Sequence, residues 1–159
     1  MAEQYTITVN GIERTVVAEP KTTLVTILRR EFGLLGTKQG CDNGTCGACT
    51  VVMNGKAVKS CLQQIGKIDG AQITTVEGLA KGTEVHPIQR ALIDAGAVQC
   101  GFCTPGIVME LHAILSTNPE PTYEELFKGL NKHLCRCTGY EAIVEGAHLA
   151  VDYLKATKG

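Results

Sequence analysis

The chain predicts an α+β protein of two units in series, strands with a helix first and helices alone afterwards. Three observations carry that reading. Residues 5–9 and 12–17 alternate apolar and polar side chains around Asn10-Gly11, the pattern of a two-residue β-hairpin. Beyond residue 85 the apolar spacing lengthens to three and four, in segments bounded by Pro, Thr and Gly. Between the two regimes, residues 78–85 carry two glycines among mixed polar residues and read as a connector.

In chain order, Thr22 or Thr23 is placed to cap a helix over residues 24–32, with Leu24, Ile27 and Leu28 on one side and Gly33 as its stop. Residues 50–53 and 57–58 flank a second turn at Asn54-Gly55, and residues 72–76 supply a last strand. His86-Pro87 opens a helix running to about Ala95, ended by Gly96. Thr104-Pro105 opens another, with Ile107, Leu111, Ile114 and Leu115 sharing a face until Asn118-Pro119 breaks it. Thr122 with Glu125 and Thr138 with Glu141 have capping-box spacing for two more helices. The first of these turns Leu126, Phe127 and Leu130 inward; the second turns Tyr140, Ile143, Val144, Ala147, Val151 and Leu154. The expected boundaries are a first unit at residues 1–78, a linker at 79–85 and a four-helix bundle at 86–159.

Composition narrows the function. At 159 residues and 44% hydrophobic content the chain can build globular cores. A net charge of -1, from 15 basic and 16 acidic residues without a basic patch, gives no electrostatic reason to expect nucleic acid or an anionic membrane as partner. No apolar run approaches the ~20 residues that span a bilayer, and the N-terminus lacks the pattern of an export signal, so a cytoplasmic location is expected. In a reducing compartment eight cysteines point to metal rather than to disulfides.

Those cysteines form two sets. Cys41, Cys46 and Cys49 lie at C-x4-C-x2-C, and Cys61 follows after eleven residues, the plant-type spacing for a 2Fe-2S cluster. Four thiolates and two sulfides carry more negative charge than two ferric ions neutralise, so backbone N–H groups are expected to point at the sulfurs. Gly40, Gly44 and Gly47 permit the close approach and unusual dihedrals that this requires. The second set pairs Cys100 with Cys103 and Cys135 with Cys137 across a gap of 31 residues. Each pair precedes an expected helix start, whose partial positive charge favours thiolates. By spacing alone this second set is open to a cluster or to structural zinc.

Four runs make the pattern specific: Gly36-Thr37-Lys38-Gln39-Gly40-Cys41, Cys46-Gly47-Ala48-Cys49-Thr50-Val51, Gln99-Cys100-Gly101-Phe102-Cys103-Thr104-Pro105-Gly106 and Leu134-Cys135-Arg136-Cys137-Thr138-Gly139-Tyr140. In this order they resemble the iron-sulfur subunit of the molybdenum hydroxylases, the xanthine dehydrogenase family, over nearly the whole chain. The resemblance implies a plant-type ferredoxin-like (β-grasp) first domain, a helical second domain and one 2Fe-2S cluster in each. It implies a molybdopterin held by a separate large subunit near the second cluster, and an electron acceptor, commonly an FAD subunit, near the first. Gln99 and Cys137 match residues that contact the pterin, Cys137 while also ligating iron. The family often has Asn where this chain has His133.

Simpler readings stand beside these. His86, His112, His133 and His148 are scattered and suit structural roles. Arg136 and Lys38 offset cluster charge or position a partner. Gln99 could serve as a loop hydrogen-bonder. The chain shows no nucleophile-base constellation and no phosphate loop, which argues against catalysis by this chain alone, and the resemblance implies electron transfer within a larger oxidoreductase. The alternative is a free-standing two-cluster carrier or redox sensor.

Overall fold

A computed structural model describes residues 1–158. The N-terminal strands are β1 (Glu3–Val9) and β2 (Ile12–Ala18), antiparallel about a turn in which Asn10 and Gly11 both take positive φ, 52° and 79°. Strands β3 (Thr50–Met53) and β4 (Lys56–Lys59) repeat the device at Asn54-Gly55, and β5 (Gln72–Thr74) lies between the hairpins. The sheet order is β2-β1-β5-β3-β4, with β1 and β5 parallel and the other pairs antiparallel. Strand β5 ends at Thr74, before the expected residue 76. There Asn10 clasps the chain, its Oδ1 accepting from Thr75 N–H and its Nδ2 donating to Thr75 Oγ1, each at 2.9 Å.

Helix α1 (Leu24–Thr26) widens into a π turn over Ile27–Glu31, closed by Phe32 N–H donating to Ile27 O. Thr23 is its N-cap residue, yet the Thr23 hydroxyl bonds Thr26 Oγ1 at 2.8 Å instead of a backbone N–H. The expected stripe survives the widening. Leu24, Ile27 and Leu28 are fully buried against Ile7, Val9, Val51 and Ile73 of the sheet face and against Ile65 in the helical turn at Ile65–Lys67.

Helices α2 (Pro87–Asp94), α3 (Thr104–Thr117), α4 (Tyr123–Leu130) and α5 (Glu141–Thr157) follow. The box at Thr122 and Glu125 forms as expected, and a second forms at α2, where His86 Nδ1 accepts from Ile88 N–H and Gln89 accepts from His86 N–H. Such a cap contributes on the order of 1 kcal/mol. Helix α3 runs through the middle, so residues nearly all round it are buried and its apolar surface exceeds the one face expected. On α5 the buried face is Ile143, Gly146, Ala147 and Ala150, while Val144, Val151 and Leu154 are half-buried and Tyr140 is exposed. Small residues win the centre because α2 comes so close: a Cβ on Gly146 would sit 3.2 Å from Leu92 Cα.

The two cores meet at β3. Val51 faces the α1 side and Val52 the α3 side, so one strand with both faces covered serves both layers. Both cysteine loops lie at this junction.

Candidate iron-sulfur sites

The first loop connects α1 to β3. Cys41 and Cys46 are half-buried, and Cys49 and Cys61 are buried, Cys61 arriving from a short helical turn at Ser60–Leu62. Backbone N–H groups turn inward as the charge argument requires. Cys46 N–H donates to Cys41 Sγ at 3.3 Å, Ala48 N–H to Cys46 Sγ at 3.4 Å and Cys61 N–H to Cys49 Sγ at 3.4 Å. Gly47 makes the turn at φ +75°, and a Cβ there would strike Lys132 O at 2.6 Å, so its lack of a side chain is required twice.

The second site joins the loop before α3 to the loop before α5. Cys103 is buried and Cys135 half-buried, whereas Cys100, Cys137 and Gln99 are exposed. Cys135 Sγ receives the Thr138 N–H at 3.4 Å and lies 3.2 Å from the Thr138 hydroxyl. That hydroxyl accepts from Tyr140 N–H, which leaves its own proton for the sulfur. The expected box of Thr138 and Glu141 therefore does not form: α5 begins at Glu141 behind Tyr140 at φ 75°, and the hydroxyl that would have capped it is engaged at the thiol. Cys137 accordingly lies before a bent connector rather than at a helix start. The Tyr140 hydroxyl accepts the Cys135 N–H at 3.0 Å.

Electrostatics separate the thiols by surroundings. The Cys46 N–H holds the Cys41 thiol down at about 7. Burial pushes Cys61 and Cys103 up to about 12, helped by the neighbouring thiols of Cys49 and Cys135 respectively. At Cys135 burial acts upward, but the Thr138 hydroxyl and N–H outweigh it and the thiol is lowered. The Cys100 thiol raises Cys137. Within each set the thiols act on one another: Cys41 and Cys49 raise both Cys46 and Cys61, and Cys100 and Cys135 raise both Cys103 and Cys137.

Four thiols per set are the donor number of a 2Fe-2S cluster and also of a structural zinc. Buried thiols ionise only when a cation compensates them, and the inward N–H groups favour an anionic centre. The residues present fit a 2Fe-2S cluster at both places.

Other expected participants fare differently. The Lys38 ammonium donates to Leu35 O at 2.9 Å and so has a backbone partner, while Arg136 is exposed beside the second site. Lys59, which sequence did not single out, donates to Gly44 O in the first loop. Lys59 ends β4 two residues before Cys61, and that closeness to a candidate ligand is the signal that could have marked it. The two sites also touch. Leu134 N–H donates to Cys46 O at 2.9 Å, and a Cβ on Gly40 would lie 3.0 Å from Cys46 Sγ and 3.3 Å from the Phe102 ring.

Known proteins place this arrangement. Residues 7–80 match the 2Fe-2S iron-sulfur cluster binding domain and residues 75–148 the 2Fe-2S binding domain. The chain is 44% identical to the nicotinate dehydrogenase small FeS subunit of Eubacterium barkeri over 147 residues, covering 92% of this chain and 91% of that one. It is 40% identical to the aldehyde oxidoreductase of Megalodesulfovibrio gigas across 98% of its own length but only 17% of the relative's, so it corresponds to one part of that longer protein. The crystal structure of quinoline 2-oxidoreductase from Pseudomonas putida 86 superposes with a TM-score of 0.92 at 37% identity, covering 99% of this chain and 98% of that one. The chain therefore belongs to the molybdenum hydroxylase family, as a small iron-sulfur subunit of the xanthine dehydrogenase type.

Proposed function

We infer that this chain carries electrons from a molybdopterin on a large partner subunit to an acceptor, an FAD subunit or another carrier, through two 2Fe-2S clusters. Residues 1–78 form a plant-type ferredoxin-like, β-grasp unit holding one cluster on Cys41, Cys46, Cys49 and Cys61. Residues 86–159 form a four-helix unit holding the other on Cys100, Cys103, Cys135 and Cys137, and 79–85 link them. Bound there, the clusters supply one-electron chemistry. The protein supplies thiolates, inward N–H groups and a fixed spacing.

The observation that carries this reading is the hydrogen bond from Leu134 N–H to Cys46 O at 2.9 Å. Leu134 adjoins Cys135, so one residue and one hydrogen bond separate a second-set cysteine from the backbone of a first-set cysteine. A free-standing carrier has no need of two sites so joined. Exposure supports the direction that the family relation implies: Cys100, Cys137 and Gln99, the side assigned to the pterin, are exposed, and exposed Phe102 and Leu134 offer apolar docking surface beside them. Electrons enter there and leave past the Cys41 loop. Eight free cysteines assigned to metal rather than to disulfides suit a reducing compartment, and we place the complex in the cytoplasm.

The holo-chain is expected to contain four irons and four acid-labile sulfides, two of each per cluster; stoichiometric zinc, or only two irons after anaerobic preparation, defeats the reading. Gln99→Ala in the assembled complex should slow reduction of both clusters by substrate, followed by rapid-freeze paramagnetic resonance. If the first cluster is reduced at the normal rate when the second is missing, the order is wrong.

A further inference from the structure

Glu110 on α3 and His133 after α4 are buried titratable side chains that neither cysteine set uses, with 5% and 2% exposure. His133 Nε2 faces Glu110 Oε2 at 3.4 Å, and the same carboxylate accepts from Lys132 Nζ at 3.1 Å. A carboxylate at Nε2 draws the ring proton to that nitrogen. Nδ1 is buried with no hydrogen-bond partner among the described residues, and it points at Gly47: a Cβ there would lie 2.7 Å from it.

We propose that His133 is a positioning residue, which sets the approach of the two cysteine sites by holding residues 132–134 against the Cys46–Ala48 loop. The proposal rests on the two-cluster reading above. One side of the ring is anchored to the central helix through Glu110, and the other lies on the first loop's backbone. The residue after it makes the Leu134–Cys46 hydrogen bond, and the one after that is Cys135. A leucine would fill the same space without burying polar atoms, which cost stability when unpaired. What leucine cannot do is fix the ring's orientation through Nε2, and with it the height at which Leu134 meets Cys46. Lys132 holds the carboxylate from its solvent side, so the anchor is itself held.

The test is low-temperature paramagnetic resonance of the fully reduced holo-chain, where two neighbouring paramagnetic centres split each other's signals. Iron is counted first, and a wild-type chain without four irons defeats the two-cluster reading, not this one. The double variant His133→Leu with Glu110→Leu replaces a buried polar pair by apolar side chains, a change that often leaves stability intact. It is expected to keep four irons and to lose or narrow the splitting. His133→Gln, whose amide still reaches Glu110, should keep the splitting; His133→Asn, too short to reach it, should narrow it. Wild-type splitting in the double variant overturns the proposal. If the leucine variant does not load iron, equal splitting in the Gln and Asn variants overturns it instead.

Discussion

Gly106, in the first turn of α3, faces Gly47 so closely that a Cβ on it would lie 2.4 Å from the Gly47 carbonyl oxygen. Ala48 Cα would be 3.2 Å away, so backbone blocks the space on more than one side. The helix that follows Cys103 is thereby seated on the loop that carries Cys46 and Cys49. The contact is steric, and it limits how near the helix and the loop can come without fixing the height at which Leu134 meets Cys46.

Gly106→Ala should consequently destabilise the chain, although alanine in a helix ordinarily gains about 0.5–1 kcal/mol over glycine. Overpacking against backbone costs about 1–3 kcal/mol and outweighs that gain. A lower melting temperature with partial loss of iron from the first loop is expected. A melting temperature above wild type would show that loop and helix separate freely.

Thr138→Val removes the hydroxyl 3.2 Å from Cys135 Sγ while keeping its shape. A hydrogen bond to sulfur favours the more negative, reduced state, so its loss should lower the second site's midpoint potential, by on the order of tens of mV. Redox titration followed by paramagnetic resonance reads both sites at once. An unchanged second potential, or an equal shift at both, contradicts the assignment of this hydroxyl.

Cys46→Ala is expected to halve the iron, from about four to about two per chain, and to loosen the sheet unit while the helical site stays loaded. Loss of all iron from a chain that remains folded would mean that residues 79–85 do not separate two independently loaded units.

Stability should also depend on the histidines at the junction. Burial lowers His112, and burial followed by the neighbouring His112 charge lowers His86; their rings meet edge to face at 5.5 Å. Both rings resist protonation in the folded chain, while in the unfolded chain they protonate near the ordinary histidine value of 6.5. Their contribution is thus complete above that pH and is lost as pH falls toward the lower folded values. The melting temperature of the holo-chain should drop between pH 7 and pH 5, and less steeply in His112→Gln. Parallel curves for the two proteins would rule out this source.

Local signals carried much of the fold into view. Both Asn-Gly turns, the Thr122 box and the stripe of Leu24, Ile27 and Leu28 depend on residues within four positions of each other, and all appear in the structure. Thr138 and Glu141 have the same spacing as Thr122 and Glu125, yet only the latter pair caps a helix. The difference is a thiol at Cys135, which takes the Thr138 hydroxyl and which no capping rule considers. The cysteine spacings announced two metal sites, and the four motif runs announced the family. Contacts across long separations stayed hidden: Gly106 on Gly47, His133 on Glu110, and Val52 joining the helical core while Val51 joins the other. Each needs the three-dimensional path of the chain, since neither partner is marked by its own neighbours.

The unequal depth of the thiols bears on how such a chain matures. Cys49 and Cys61 lie beneath the surface, beside the sealed core residue Val25, so iron must reach them while the surrounding chain is still open. Cys100 and Cys137 remain exposed after folding, but Cys103 of the same set is buried, so each set joins deep thiols to shallower ones. On the two-cluster reading, metal would have to enter both sets before the chain closes over their deep thiols, and assembly would come last. A chain docked too early would be sealed with a site empty, so the order of cellular delivery matters as much as the supply of iron.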